Sequence, residues 1–224
     1  MIAKVITIAQ QKGGAGKTTV AAHIAIALHQ KNYKVLLVDI DPQASLTTWY
    51  NVRKENQEKN KNDIELISVA GWRVDNEITK LKDIYDFIVI DSPPHTEAEA
   101  KSAIRSADMI ITPIQASPTD IWATEATTLL AEKEKKPLYL LLNRLSPNSK
   151  ITSEITKGLK NLLKTTLGNR VAFAACLLEG KCVTETSPGS VAAKEVKSLT
   201  EEVLKLLKNV SSKKQVKKLE SVYA

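Results

Sequence analysis

The sequence predicts an α/β fold, a three-layer sandwich with helices on both faces of a mostly parallel, twisted sheet. Three observations lead there. Short continuous apolar runs recur along the chain, as in strands buried on both faces; a half-exposed strand would alternate instead. Longer helical patterns separate these runs, which marks parallel strands joined by crossover helices. Carboxylates and glycines collect where the runs end, and open parallel sheets bind ligands beyond the carboxyl ends of their strands.

Val5–Ala9 reads as the first buried strand, followed by a glycine-rich loop at 11–17. Thr18–Gln30 repeats Val20, Ile24, Ala27 and Leu28 at helical spacing. Val35–Val38 is a strand ending at Asp39, Ile64–Val69 a weaker one, and Phe87–Ile90 a strong one ending at Asp91. Met109–Ile111 and Leu138–Leu142 follow, with Val171–Ala174 as the expected last strand. Helices are expected at Glu97–Ser106, Ser149–Thr165 and Ser190–Leu207. Another starts at Ser117-Pro118-Thr119-Asp120, where Ser117 can cap, Pro118 suits the first turn and Asp120 can close a capping box. The polar stretch from Arg53 to Asp63 reads as a solvated helix end or loop without a function.

The 224 residues, 43% hydrophobic and 25% charged, suit one globular domain. We place it at 1–209, followed by a basic C-terminal tail at 210–224. A formal charge of +7 points to an anionic partner, nucleic acid or an acidic membrane surface. Cys176 and Cys182 are the only cysteines, and their spacing fits no zinc or redox pattern. Met1 runs almost directly into a strand, with no signal peptide and no membrane-spanning run, so a cytoplasmic location is expected.

The stretch Gln11-Lys12-Gly13-Gly14-Ala15-Gly16-Lys17-Thr18-Thr19 ends like the phosphate-binding loop G-x-x-x-x-G-K-[ST], but has Gln11 at the opening glycine and a second lysine, Lys12. Its glycines let the backbone approach anionic oxygens, and N–H groups at the helix start supply donors. Lys17 would neutralise the β- and γ-phosphates of a nucleotide, and Thr18 would hold Mg²⁺. Asp91, ending "YDFIVID", can serve the magnesium shell. Asp39 and Asp41 in "VDIDPQ" can order a water against the γ-phosphate, although Asp41 would also suit a helix cap.

Together, "KGGAGKTT", "VLLVDIDPQ" and "DFIVIDSPP" make the chain resemble the ParA/MinD family of deviant Walker ATPases, the "DPQ" leaning toward ParA. The resemblance covers most of residues 2–205 and implies a P-loop NTPase fold with ATP and Mg²⁺ as ligands. It makes Lys12 the lysine that reaches across a dimer interface to the partner's phosphates, a cation supplied in trans like an arginine finger. Lys17 and Thr18 match the phosphate lysine and the magnesium ligand, Asp41 the aspartate needed for hydrolysis, and Asp91 the Walker B aspartate. Asp39 belongs to the same motif and joins Thr18 and Asp91 as a candidate for the metal. Gly13, Gly14, Ala15, Gly16 and Thr19 complete the loop, and Asn143 falls where the family often contacts adenine. Ser92 stands where the family often has Thr.

The resemblance also implies an ATP-dependent homodimer that binds DNA non-specifically on the nucleoid. A ParB-like or cargo-adaptor protein would stimulate it. Candidate DNA contacts are Arg170, Lys181, Lys213, Lys214, Lys217 and Lys218, in a lysine-rich C-terminal region that also holds Lys205 and Lys208. Two alternatives stand beside this one. A MinD-like protein would act at a membrane through a C-terminal amphipathic helix; the Val216, Leu219 and Tyr223 stripe is a weak version of one. An ATP-dependent metabolic enzyme on the same fold would need an acceptor pocket. His23 and His29 read as packing or surface residues, His95 as a loop residue, and Trp49, Trp72 and Trp122 as core or interface anchors.

Overall fold

The computed structural model describes residues 2–56, 63–94, 97–146 and 150–220, the last ten as backbone. The sheet has six strands: β1 (Lys4–Ile8), β2 (Val35–Asp39), β3 (Glu65–Ser68), β4 (Phe87–Asp91), β5 (Met109–Ile114) and β6 (Leu138–Leu142). Their order is β3-β2-β4-β1-β5-β6, and every pairing is parallel. The helices are α1 (Lys17–His29), α2 (Ser45–Asn56), α3 (Val74–Leu81), α4 (Glu97–Ser106), α5 (Pro118–Trp122), α6 (Glu125–Lys133), α7 (Lys150–Thr156), α8 (Ala172–Ala175), α9 (Val183–Thr186) and α10 (Val191–Glu220). The predicted α/β sandwich is therefore present.

Alternate strand residues feed opposite cores. Ile6, Leu37 and Val89 pack with α1, α9 and α10, while Val5, Leu36, Val38, Ile88 and Ile90 pack with α3 and α4. A third cluster joins Ile110, Ile114, Leu140 and Leu142 to Ile104 and Ala131. Apart from Lys17 and His23, the buried residues of α1 are aliphatic, and they lie all around the helix. Such a helix must be enclosed, and α1 lies between the sheet and α10.

Four sequence expectations give way to different structure. The run at Val171–Ala174 is helical, with Val171 exposed and Phe173 and Cys176 turned inward. Inward positions three apart are a helical spacing, and alanines between them favour that state. The helix expected over Ser149–Thr165 is only α7. Gly158 follows at φ +88°, and the chain then turns to pair along β6 through Leu140↔Leu162. Arg53 is no solvated end: its guanidinium is buried and binds Asp63 through Nε (2.8 Å) and Nη2 (2.9 Å), Glu185 through both terminal nitrogens (3.0 and 2.9 Å), and the Gly180 carbonyl at 3.0 Å. The helix expected to end at Leu207 continues to Glu220, so no break in secondary structure marks residue 210.

Candidate active site

The strand order brings the loops after β2, β4 and β1 side by side. Asp91 is in register with Ile8 on one side and Asp39 on the other, so three strands end at one level. Gly14 (φ +74°) and Gly16 (φ +95°) turn the loop after β1, and Gly16 starts α1 from a left-handed conformation that L side chains resist. A Cβ on Gly16 would lie 2.4 Å from the Asn143 side chain, whose Nδ2 donates to the Ala15 carbonyl at 2.8 Å. Asn143, at the end of β6, thereby fastens the loop. Its Oδ1 accepts the Arg144 N–H at 3.0 Å.

Lys17 is buried at the start of α1. Desolvation lowers its pKa, and the negative fields of Asp91 and Asp41 oppose that shift. The Thr18 hydroxyl donates to Asp91 Oδ2 at 2.6 Å. Asp91 Oδ1 is buried without a hydrogen-bond partner. Burial, with the nearby Asp39 and Asp41 charges, pushes the Asp91 carboxyl up to about 7 against the bond from Thr18 and the field of Lys17. A carboxylate in such a place calls for a cation, and the hydroxyl–carboxylate pair fits the hard oxygen ligands of Mg²⁺.

Asp39 faces elsewhere. Its Oδ2 accepts the Thr47 N–H (2.8 Å) and hydroxyl (2.7 Å), and its Oδ1 accepts the Asp41 N–H at 3.1 Å. It thus ties the start of α2 to the loop that carries Asp41. Asp41 itself is half-buried and accepts the Gln43 N–H at 2.9 Å.

Lys12 has a different partner from Lys17. Its amine forms an ion pair with Asp120 Oδ2 at 2.5 Å; Lys12 is 39% exposed and Asp120 2%. The sequence offers no local cue for this contact, since the two residues are 108 apart in the chain. Ser117 does cap α5, accepting the Asp120 N–H at 3.2 Å. The Asp120 carboxylate, expected to close a capping box, instead takes Lys12, the Ser117 hydroxyl and the Gln115 N–H. Burial would raise this carboxyl; the three bonds and the Lys12 charge outweigh it and hold the pKa below the usual range.

Beside the loop is a cavity of about 410 Å³, lined by Gly16, Thr19 and Asn143 on one side and by residues of the 168–177 segment, Phe173 among them, on the other. Its size suits a nucleoside. Of the basic candidates, Arg170 pairs with Glu195 at 2.7 Å and Lys181 with Glu179 at 2.9 Å. Lys213, Lys214, Lys217 and Lys218 lie on α10, where only the backbone is described. The same limit holds for Val216 and Leu219, and His95 and Tyr223 lie outside the described residues. Trp49 is a core residue, whereas Trp72 and Trp122 are 76% and 70% exposed. Among the described residues no helix is long and apolar enough to cross a membrane.

A phosphate-type loop at the carboxyl edge of a parallel sheet, with its Lys17 in the fields of Asp91 and Asp41, defines a nucleotide-binding α/β protein. The chain belongs to the CobQ/CobB/MinD/ParA nucleotide-binding domain family, which it matches over residues 6–220. It is 30% identical over 210 residues to the maintenance of carboxysome distribution protein A of Halothiobacillus neapolitanus, covering 89% of this chain and 95% of that protein. Its fold is similar to that of the septum site-determining protein MinD of Pyrococcus horikoshii, complexed with Mg-ADP (TM-score 0.78, 24% identity, 92% and 97% of the two chains). It is also similar to a Borrelia burgdorferi protein described as a plasmid partition protein and bound to AMPPNP (TM-score 0.70, 27% identity, 91% and 99%).

Proposed function

We propose that this chain is a ParA-type ATPase. It dimerises on ATP, binds DNA non-specifically on the nucleoid, and positions or segregates a plasmid, chromosome or protein cargo, with hydrolysis stimulated by a ParB-like or adaptor protein. The observation that carries this reading is the different surroundings of the two loop lysines. Lys17 is buried in the field of its own Asp91 and Asp41, while Lys12 is partly exposed and its amine pairs with Asp120. The Lys12 amine is partly exposed, and Asp120 keeps the Ser117 hydroxyl and the Gln115 N–H when the amine leaves, so this lysine can be given up to another chain.

In this reading Lys17 and the N–H groups of Gly13–Thr19 hold the β- and γ-phosphates, and Lys12 of one chain neutralises phosphate charge in the other. Thr18 and Asp91 would hold Mg²⁺, which when bound neutralises phosphate oxygens and orients them for in-line attack. Asp41 orients the attacking water. Asp39 serves the metal shell through the loop it braces, its own oxygens being engaged by Thr47 and the Asp41 amide. Asn143 acts at the base side by fixing the loop that borders the cavity. DNA would meet Arg170, Lys181 and the lysines of α10 through phosphate contacts, which need charge and no sequence.

ATP binding and turnover by the wild type, Lys17→Ala and Asp41→Ala test the catalytic part. Lys17→Ala is expected to lose ATP binding, and Asp41→Ala to bind ATP without turnover and remain dimeric. Rapid hydrolysis by Asp41→Ala would remove that residue from its role. DNA retention with ATP, with ADP and without nucleotide, over a salt series, tests the switch. Binding only with ATP, weakening steeply with salt, is expected; nucleotide-independent binding, or ATP-dependent binding to anionic vesicles in place of DNA, contradicts it.

A further inference from the structure

We propose that His23 is a positioning residue that sets the spacing between the phosphate loop and the opposite wall of the base-side cavity, and so tunes affinity for the nucleoside part of the ligand. The proposal rests on the reading of that cavity as the nucleotide site.

His23 is buried on α1, one turn beyond Thr19. Its Nδ1 lies 2.7 Å from the Thr19 carbonyl. A carbonyl only accepts, so the proton must be on Nδ1. Nε2 is then an acceptor, and two donors from the chain that follows the cavity-lining Phe173 meet it: the Val183 N–H at 3.2 Å and the Cys176 thiol at 3.6 Å. The ring also packs edge-on against Phe173, with centroids 5.2 Å apart. Thr19 and Phe173 line the cavity on its two sides. One neutral imidazole therefore ties the helix carrying Lys17 and Thr18 to the segment that would face the base. The loop's contacts with phosphate do not pass through this link; the distance to the opposite wall does.

Two substitutions separate the halves of the link. In His23→Asn the amide can keep the bond to the Thr19 carbonyl but is too short to reach Val183. In His23→Gln the side-chain oxygen can stand near the position of Nε2 and accept the Val183 N–H. Affinities for ATP and for inorganic tripolyphosphate are measured by calorimetry for the wild type and both variants, with thermal unfolding as a control for folding. The expected result is about tenfold weaker ATP binding by His23→Asn, the scale of one lost buried hydrogen bond. Tripolyphosphate affinity should stay unchanged, and His23→Gln should restore most of the ATP affinity. Equal losses for both ligands, no loss for either, or no restoration by Gln would overturn the proposal. A wild-type protein that bound neither ligand would overturn the nucleotide-site reading beneath it, and the proposal with it.

Discussion

The Lys12 amine lies 2.5 Å from Asp120 Oδ2, so the loop's added lysine is paired within its own chain. An acceptor in cis competes with any acceptor in trans. We predict that Asp120→Asn, which keeps an oxygen for the Gln115 N–H but removes the charge, promotes ATP-dependent association. Each partly exposed pair contributes up to about 1 kcal/mol and a dimer gives up two, so the dimer dissociation constant should fall by up to roughly thirtyfold. Sedimentation with ATP measures this. An unchanged or raised constant would mean that the pair does not oppose association.

The Gly16–Asn143 contact gives a second prediction. Gly16→Ala would force a side chain onto a residue at φ +95° and displace the Asn143 amide from the Ala15 carbonyl. Strain of this kind costs roughly 1–3 kcal/mol. A lower melting temperature and a large loss of ATP affinity are expected. Normal ATP affinity in this variant would show that the loop tolerates a different shape.

Arg53 supplies a third. Arg53→Ala would leave Asp63 and the Glu185 carboxylate without their shared cation at a buried site, a change worth roughly 3–5 kcal/mol. Chemical denaturation measures it. Because Gly180 and Glu185 bound the turn that Arg53 holds, proteolysis near Lys181 should also become faster. A loss under 1 kcal/mol would contradict a structural role for the network.

A fourth concerns pH. Burial lowers the His23 pKa to about 4, against the opposing effects of the Thr19 carbonyl and the Glu185 charge. The unfolded chain, with an ordinary value near 6.5, binds the proton more readily. Stability from the neutral ring is thus fully present above about pH 6.5 and is lost as pH falls toward 4, on the order of 3 kcal/mol in all. Stability profiles of the wild type and His23→Gln should converge over that window. Parallel profiles would exclude His23 as the group responsible.

Much of this was legible in the sequence. Val35–Val38 and Phe87–Ile90 are as short as Val171–Ala174, but their bulky Val, Leu, Ile and Phe residues without alanine, each run closing on an aspartate, mark strands buried on both faces, and the loop motif marks the switch from β1 to α1. Val171–Ala174 misled because a four-residue apolar run has no readable period. Gly158 inside an expected helix marked where α7 could not continue, but the pairing of its sequel with β6 is long-range. Asp120 and Arg53 show the same limit. A local motif explains each at its own position, and the partners that decide its role, Lys12 and Glu185, come from distant parts of the chain.

Donation of Lys12 to a neighbouring chain is the central claim. Its most direct test is a crystal structure of Asp41→Ala with ATP and Mg²⁺. We predict two facing protomers, with the Lys12 amine of each withdrawn from Asp120 and set against the other's phosphates. An ATP-loaded protein in which Lys12 remains on Asp120, or turns to the phosphates of its own chain, would contradict the account.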